Sequence, residues 1–236
     1  MKLYDSIIEK TQTILHSAGT TSFPVQGGRI WKDTGESELI FARDAAFELG
    51  GSQNPSVNFT CVTTSGFIRQ DEILCCGPDL QQLNADSPFA RIVLLEVEDL
   101  RETQDSEKAY DTIRSIEYVK YHVFPAGYMV RVSAATNQEQ VRVSRSAVKA
   151  GISFRYIGYT YIRKYRKIPA VKHVRVIFVT DRAVVQQLQP LAGKVDDITK
   201  TLTHILDGLP TDCGHCSMKS VCDEVEGMRE MHLGKH

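Results

Sequence analysis

The chain has 236 residues, of which 42% are apolar and 24% are charged, and its formal net charge is −1. This composition is typical of a globular protein with one large domain, or with one domain and a small appendage. The near-neutral balance gives no overall attraction to nucleic acid or to an anionic membrane. The N-terminus lacks the apolar segment of a secretory signal, and no apolar stretch is long enough for a transmembrane helix. We therefore expect a cytoplasmic protein.

The first half of the sequence predicts one helix followed by short strands. Apolar residues at helical spacing predict a helix over residues 2–17, and a segment rich in Gly, Thr and Ser predicts a loop over 19–37. Runs rich in β-branched and aromatic residues, separated by turn-forming residues, then predict strands at 38–42, 46–49, 57–63, 72–76 and 91–96.

The second half alternates between helices and strands. Ser144 is placed to cap a short helix that ends at Gly151, and Asp181 to cap a long helix that ends near Leu206. The almost wholly apolar run 173–180 predicts a strand in the centre of its sheet. The remaining predicted elements are a polar helix at 104–120, strands at 128–133 and 141–143, and a basic helix at 153–167.

This order of elements predicts an α+β (mixed α/β) fold. We expect one main domain with a mixed sheet and flanking helices, followed by a cysteine-bearing tail that begins after Gly208-Leu209-Pro210.

The tail carries a metal-binding pattern, with Cys213 and Cys216 in a C-x2-C turn and Cys222 shortly after. Two residues between thiolates form a turn that directs both sulfurs at one ion or cluster, and cytosolic thiols are seldom paired as disulfides. Iron–sulfur and zinc sites both take four ligands in the usual case, so a fourth is needed. His232 can fold back to supply it. The alternative is that these are spare thiols at a frayed terminus.

The other three cysteines lie within apolar strand patterns, where cysteine behaves as a small hydrophobic residue. We expect them in the core, without a role in metal binding: Cys61, Cys75 and Cys76.

Several stretches, in order along most of the chain, resemble a known family. The sequence resembles the middle region of the β subunit of the carbon monoxide dehydrogenase/acetyl-CoA synthase complex. The resemblance divides the chain into an N-terminal helix (1–19), a synthase-like middle domain (20–207) and a cluster-binding tail (208–236). The stretches that carry it are Gly27-Gly28-Arg29-Ile30-Trp31-Lys32, Phe47-Glu48-Leu49-Gly50-Gly51 with Pro55, Gly77-Pro78-Asp79-Leu80, Val141-Arg142-Val143-Ser144, Ala147-Val148-Lys149-Ala150-Gly151, and Val174 to Asp181.

The resemblance implies that the tail binds a [4Fe–4S] cluster. Cys213, Cys216 and Cys222 match the first three cysteine ligands of the family, and the fourth position, after nine intervening residues, falls on His232. The nickel-binding Cys-Gly-Cys of the family has no counterpart here, because no Cys-x-Cys occurs in the sequence. We therefore do not expect this chain to catalyse acetyl-CoA synthesis by itself.

Three functional interpretations stay open. The first is an accessory, electron-transfer or assembly protein of one-carbon (Wood–Ljungdahl) acetyl-CoA metabolism, with partners such as the dehydrogenase/synthase subunits, corrinoid proteins or ferredoxin. The second is a zinc-stabilised binding module without a redox role. The third is an acyltransferase subunit whose missing nickel ligands come from a partner.

A basic stretch suggests a second ligand. Residues 141–180 contain ten Lys and Arg residues and no Asp or Glu. Guanidinium groups bind phosphate bidentately, and the resemblance implies a CoA site built on arginines. The alternative is a solvated basic face, and nucleic acid is disfavoured because no binding motif accompanies the charge. The candidate CoA ligands are Arg142, Arg145, Arg155, Arg163 and Arg166.

Overall fold

A computed structural model gives the fold of the chain and describes residues 2–25, 30–36, 39–40, 45–51, 53–98, 106–132 and 138–206. The helices are α1 (Asp5–Ala18), α2 (Ser106–Tyr121), α3 (Arg145–Lys149), α4 (Phe154–Tyr165) and α5 (Arg182–Leu206), with a short 3-10 helix at Leu80–Gln82. The strands are β1 (Thr21–Pro24), β2 (Ala46–Leu49), β3 (Ser56–Thr63), β4 (Glu72–Cys76), β5 (Phe89–Val97), β6 (Tyr128–Val132), β7 (Glu139–Ser144) and β8 (Val171–Val179).

Five strands form the main sheet, in the order β1-β4-β8-β5-β3. The sheet is mixed: β4 runs parallel to β8 and β3 parallel to β5, whereas β5 is antiparallel to β8 and β1 to β4. The apolar strand β8 occupies the central position, as its sequence predicted, because a strand covered on both faces needs apolar residues on both.

Successive side chains of each strand point to opposite faces of the main sheet, and they form one hydrophobic core on each face. Val93 and Leu95 of β5 point to the core that α2, α3 and α4 cover. Ile92 and Leu94 of the same strand point to the core that α1 and α5 cover. The N-terminal helix is therefore an integral layer of this fold.

The second sheet has three strands in the order β2-β7-β6, all antiparallel. It is joined to the main sheet at the start of β7. There the Ser56 hydroxyl of β3 donates to the backbone carbonyl of Glu139, and the Asn58 amide donates to the Glu139 carboxylate. Two sheets with helices on both faces of the larger one confirm the predicted α+β fold.

Helix caps explain why two of the predicted helix starts are correct. The Ser144 hydroxyl accepts a hydrogen bond from the backbone N–H of Ala147 at 3.1 Å, and an Asp181 carboxylate oxygen accepts one from Val184 at 3.0 Å. Both side chains satisfy N–H groups that the first helical turn leaves without partners.

One strand departs from the predictions. β1 lies inside the segment 19–37 that was predicted as loop, and it pairs along its length with β4. Three of its four side chains are exposed and only Phe23 is half-buried, so the sequence shows no apolar alternation that would predict a strand there. Most of the predicted strand at 38–42 lies outside the described residues, and residues 39–40 are not in a strand. The domain boundaries at 20 and 207 stay predictions.

Candidate functional site

The predicted metal centre cannot be placed in the fold. Cys213, Cys216, Cys222 and His232 all lie outside the described residues, so the metal site stays a prediction. In the part of the chain from 2 to 206 that the structure describes, no group of three or more His, Cys, Asp or Glu side chains is placed to hold a metal ion.

The strand cysteines are core residues, as predicted. Cys61 lies in β3, and Cys75 and Cys76 lie in β4, all three buried as free thiols. Burial raises the pKa of each thiol above its ordinary value, because a thiolate would lose its hydration. Thiolates bind metal and thiols do not, so these side chains are poor ligands where they stand.

Two of the five predicted CoA-binding arginines are held by protein groups. The Arg142 guanidinium bonds the Glu48 carboxylate at 3.1 Å and a backbone carbonyl at 3.0 Å. Arg166 lies 3.6 Å from the Asp71 carboxylate and donates to the backbone carbonyls of Val171 and Lys172. These contacts fix both side chains in the fold.

Two others share one side of α4. Arg155, Tyr159 and Arg163 recur at four-residue spacing, which places them on one helical face. Arg163 is exposed and its guanidinium lies 6.0 Å from the centre of the Tyr159 ring. Neither arginine forms an ion pair with any residue that the structure describes, and the Arg155 Nε is buried without a hydrogen-bond partner among them.

The fifth arginine lies elsewhere. Arg145 begins α3, and its guanidinium lies 5.0 Å from the centre of the Phe47 ring, on the three-stranded sheet. The structure therefore separates the five candidates into two bound arginines, a pair on α4 and one on α3.

A cleft of about 320 Å³ lies beside the N-terminus of α4, within the size range of small-molecule sites. Asp79 links the cleft to the helix, since one carboxylate oxygen accepts from the backbone N–H groups of Leu80 at 2.6 Å and Phe154 at 2.8 Å. Burial raises the pKa of Asp79, although these two hydrogen bonds oppose the shift. The cleft is lined by Thr21, Phe23, Cys75, Gly77, Asp79, Gln81 and Gln82.

Gly77 lines this cleft and directly follows the carboxyl end of β4. Its φ of 91° is in the left-handed region, and a Cβ there would lie 2.7 Å from the Thr180 hydroxyl oxygen. Only glycine fits this turn without displacing the end of β8. β4 and β8 are adjacent parallel strands, and the carboxyl ends of such strands are common ligand positions in mixed α/β sheets.

A buried ion pair is the feature that sequence reasoning missed. Arg91 of β5 is fully buried and bonds Glu139 of β7 through two nitrogens, at 3.0 and 2.6 Å. Burial lowers the pKa of Arg91, but the Glu139 carboxylate outweighs that effect and holds the pKa well above its ordinary value. Arg91 therefore stays charged inside the core. Its partner is 48 residues away in sequence, so no local sequence pattern predicts the ion pair.

The comparisons with known proteins agree with the resemblance. A family model described as the CO dehydrogenase/acetyl-CoA synthase complex beta subunit matches residues 24–185, which contain β2 to β8 and α2 to α4. The chain is 25% identical over 194 residues to the carbon monoxide dehydrogenase/acetyl-CoA synthase subunit alpha of Moorella thermoacetica. That match covers 80% of this chain and 25% of the relative, so the chain spans a quarter of the relative's length. Because the family model covers more than half of its residues, the chain belongs to the family of the CO dehydrogenase/acetyl-CoA synthase complex beta subunit.

Proposed function

We propose that this chain binds CoA and an iron–sulfur cluster, and that it acts as an accessory, electron-transfer or assembly protein in one-carbon acetyl-CoA metabolism. The observation that supports CoA binding is the basic face of α4, where Arg155 and Arg163 have no ion-pair partner within the described part of the chain. Guanidinium groups on a rigid helix are available to bind phosphate where no carboxylate of the described chain neutralises them.

The spacing on α4 suits a ligand with two phosphate groups. Eight residues of helix separate Arg155 from Arg163 by about 12 Å, with the Tyr159 ring between them. CoA carries a diphosphate and a separate 3′-phosphate, and its adenine ring can stack on an aromatic face. The weaker candidates are Arg142, Arg145 and Arg166. Arg142 and Arg166 already form ion pairs with acidic side chains.

Isothermal titration calorimetry with CoA at moderate salt tests this proposal. Loss of one charge-assisted hydrogen bond costs about 1.5–3 kcal/mol, so Arg155→Ala and Arg163→Ala are each expected to weaken CoA binding by roughly tenfold or more. Dephospho-CoA, which lacks the 3′-phosphate, should bind more weakly than CoA and should be less sensitive to one of the two substitutions.

The matched control is Lys194→Ala, which removes one positive charge from α5 on the opposite face of the main sheet. It lowers the net charge equally, so general electrostatic attraction falls by the same amount. If Lys194→Ala weakens CoA binding as much as the α4 substitutions, or if no variant changes the affinity, α4 is a solvated basic face and the CoA proposal fails.

The iron–sulfur proposal depends on the donor set of the tail. Three thiolates and one imidazole, from Cys213, Cys216, Cys222 and His232, are chemically suitable ligands for a cubane cluster. A bound cluster would supply one-electron transfer. Histidine in place of one thiolate raises the reduction potential relative to four cysteines. Zinc bound by the same residues is the rival, because Cys3His also suits a tetrahedral structural site.

Purification without oxygen separates these cases. A brown protein with broad visible absorption and about four irons supports the cluster, whereas a colourless protein with one zinc supports the rival. Each tail Cys→Ser substitution should remove most of the metal, and Cys61→Ala is the control because that thiol is buried in β3. Full metal content in all three tail variants would contradict the proposal.

His232 is tested separately. If it is the fourth ligand, His232→Cys should keep the cluster and lower its potential, while His232→Ala should open one iron to exchange. An unchanged EPR spectrum and potential in His232→Ala would leave a three-cysteine site.

The partners follow from the family. We expect association with dehydrogenase/synthase subunits, or with corrinoid or ferredoxin proteins, in the cytoplasm. No helix in the described part of the chain is both long and apolar enough to cross a membrane. Pull-down with each purified candidate, followed by an acetyl-CoA synthesis assay of the complex, separates an accessory role from that of an acyltransferase subunit completed by its partner.

A further inference from the structure

A polar cluster lies inside the core, where the two sheets meet under α4. Asn58 of β3 and Arg91 of β5 are register partners, and both donate to the Glu139 carboxylate of β7. The Tyr161 ring of α4 lies against the guanidinium, 4.7 Å from its central carbon.

Four polar atoms of this cluster are fully buried and have no hydrogen-bond partner among the residues that the structure describes. They are Nη1 of Arg91, Oδ1 of Asn58 and the hydroxyl oxygens of Tyr128 and Tyr161. Folded proteins leave only a few buried polar atoms unsatisfied per hundred residues, and these four belong to one cluster.

The charges of one ion pair act on both tyrosine hydroxyls. Burial raises the pKa of both Tyr128 and Tyr161, and for each of them the Glu139 carboxylate raises it further while Arg91 lowers it. The Tyr161 hydroxyl also raises the pKa of Tyr128. Both groups are therefore within electrostatic reach of the same carboxylate and guanidinium, although they come from different elements, β6 and α4.

We propose that this cluster is an internal binding site for ordered water, which bridges Arg91, Asn58, Tyr128 and Tyr161. Water fits this set because it donates and accepts equally, and the cluster offers a donor at Arg91, an acceptor at Asn58 and two hydroxyls that can do either. An anion fits poorly, since Glu139 already neutralises Arg91 and the Asn58 carbonyl oxygen would repel it. The bridging water completes the joint between the two sheets.

A high-resolution crystal structure of the full chain tests the site directly. The expected result is density for at least one water within about 2.7–3.2 Å of two or more of the four atoms. Closely packed side chains with no density between them would overturn the proposal. A larger or charged guest in that density would overturn the assignment to water.

Tyrosine-to-phenylalanine substitution provides an independent thermal test. Tyr161→Phe and Tyr128→Phe keep the rings and remove only the hydroxyls, so a bridging water would lose a partner. Each variant should then melt about 2–4 °C below wild type. If the hydroxyls have no partner, their removal relieves a buried unsatisfied group, and an equal or higher melting temperature contradicts the proposal. Tyr118→Phe, at a tyrosine that is 62% exposed, is the matched control and should melt with wild type.

Discussion

Removing Arg91 should be among the most destabilising single changes in this fold. Its guanidinium is 0% exposed and makes two hydrogen bonds to Glu139, together with a third to the backbone carbonyl of Lys120 at 3.1 Å. Arg91→Met fills similar space but leaves the Glu139 carboxylate buried without its counter-charge. Breaking a buried pair from one side costs about 3–5 kcal/mol. For a domain of this size that corresponds to a fall in melting temperature of roughly 6–20 °C.

The double variant Arg91→Met/Glu139→Leu separates the cost of losing the ion pair from the cost of leaving one buried charge without its partner. Replacing both partners by apolar side chains removes the uncompensated charge, and such replacements are often neutral or stabilising. We therefore expect the double variant to recover most of the stability that either single variant loses. Asn58 also loses its acceptor in the double variant, so recovery should be incomplete.

Urea unfolding followed by circular dichroism measures all three variants against wild type. The control is Arg175→Met, whose partner Glu72 lies 2.8 Å away in a pair with 18% and 16% of the two side chains exposed. Its loss should be smaller than that at Arg91, because water can partly solvate the Glu72 carboxylate left behind. Two results would refute the reasoning: a loss at Arg91→Met no larger than at Arg175→Met, or a double variant whose loss equals the sum of the single losses.

Four further predictions concern the cleft and the cysteines. Asp79→Ala removes the acceptor of two backbone N–H groups and should cost about 1–2 kcal/mol in urea unfolding. Burial raises the pKa of Asp79, so the folded state binds its proton more tightly than the unfolded state does. The contribution of Asp79 to the free energy of unfolding should therefore rise as pH falls through its folded-state pKa. Urea unfolding measured across pH should show this rise in wild type and not in Asp79→Asn. Gly77→Ala should destabilise by at least about 1 kcal/mol, measured in the same way, because alanine is strained at this φ and its Cβ would contact a hydroxyl oxygen at 2.7 Å. Cys61, Cys75 and Cys76 should resist iodoacetamide at neutral pH in the folded protein and react in urea, as mass spectrometry can show, because burial raises their pKa values and blocks access.

The sequence predicts best the elements whose own residues carry the signal. The boundaries of β2 and β4 match the predictions residue for residue, because apolar and β-branched runs there are bounded by turn residues. The central position of β8 follows from its apolar residues on both faces. β1 shows the limit of this reasoning: three of its four residues are exposed, and the segment is a strand because it pairs with the edge of β4.

The features of the candidate site also fall into two groups: those that the sequence predicts and those that only the fold shows. The cysteine pattern of the tail and the family resemblance are properties of the sequence alone, and the structure adds nothing to either. The Arg91–Glu139 pair and the cleft exist only after distant segments meet, so neither could be predicted. A lone arginine at the start of an apolar strand usually marks a solvated end, and only the fold shows that β7 covers this one.

The basic stretch shows how a fold changes the meaning of a charge pattern. In sequence, residues 141–180 contain no acidic residue, and nothing distinguishes one of the ten cations from another. In the fold, acidic residues from earlier in the chain reach four of them: Glu48 contacts Arg142, Asp33 contacts Lys164, Asp71 contacts Arg166 and Glu72 contacts Arg175. Cations that bind such partners hold strands and helices together, and a ligand must compete for them. The other six cations have no acidic partner within the described chain, and Arg155 and Arg163 on α4 are two of them. An external phosphate would gain most at such unneutralised cations.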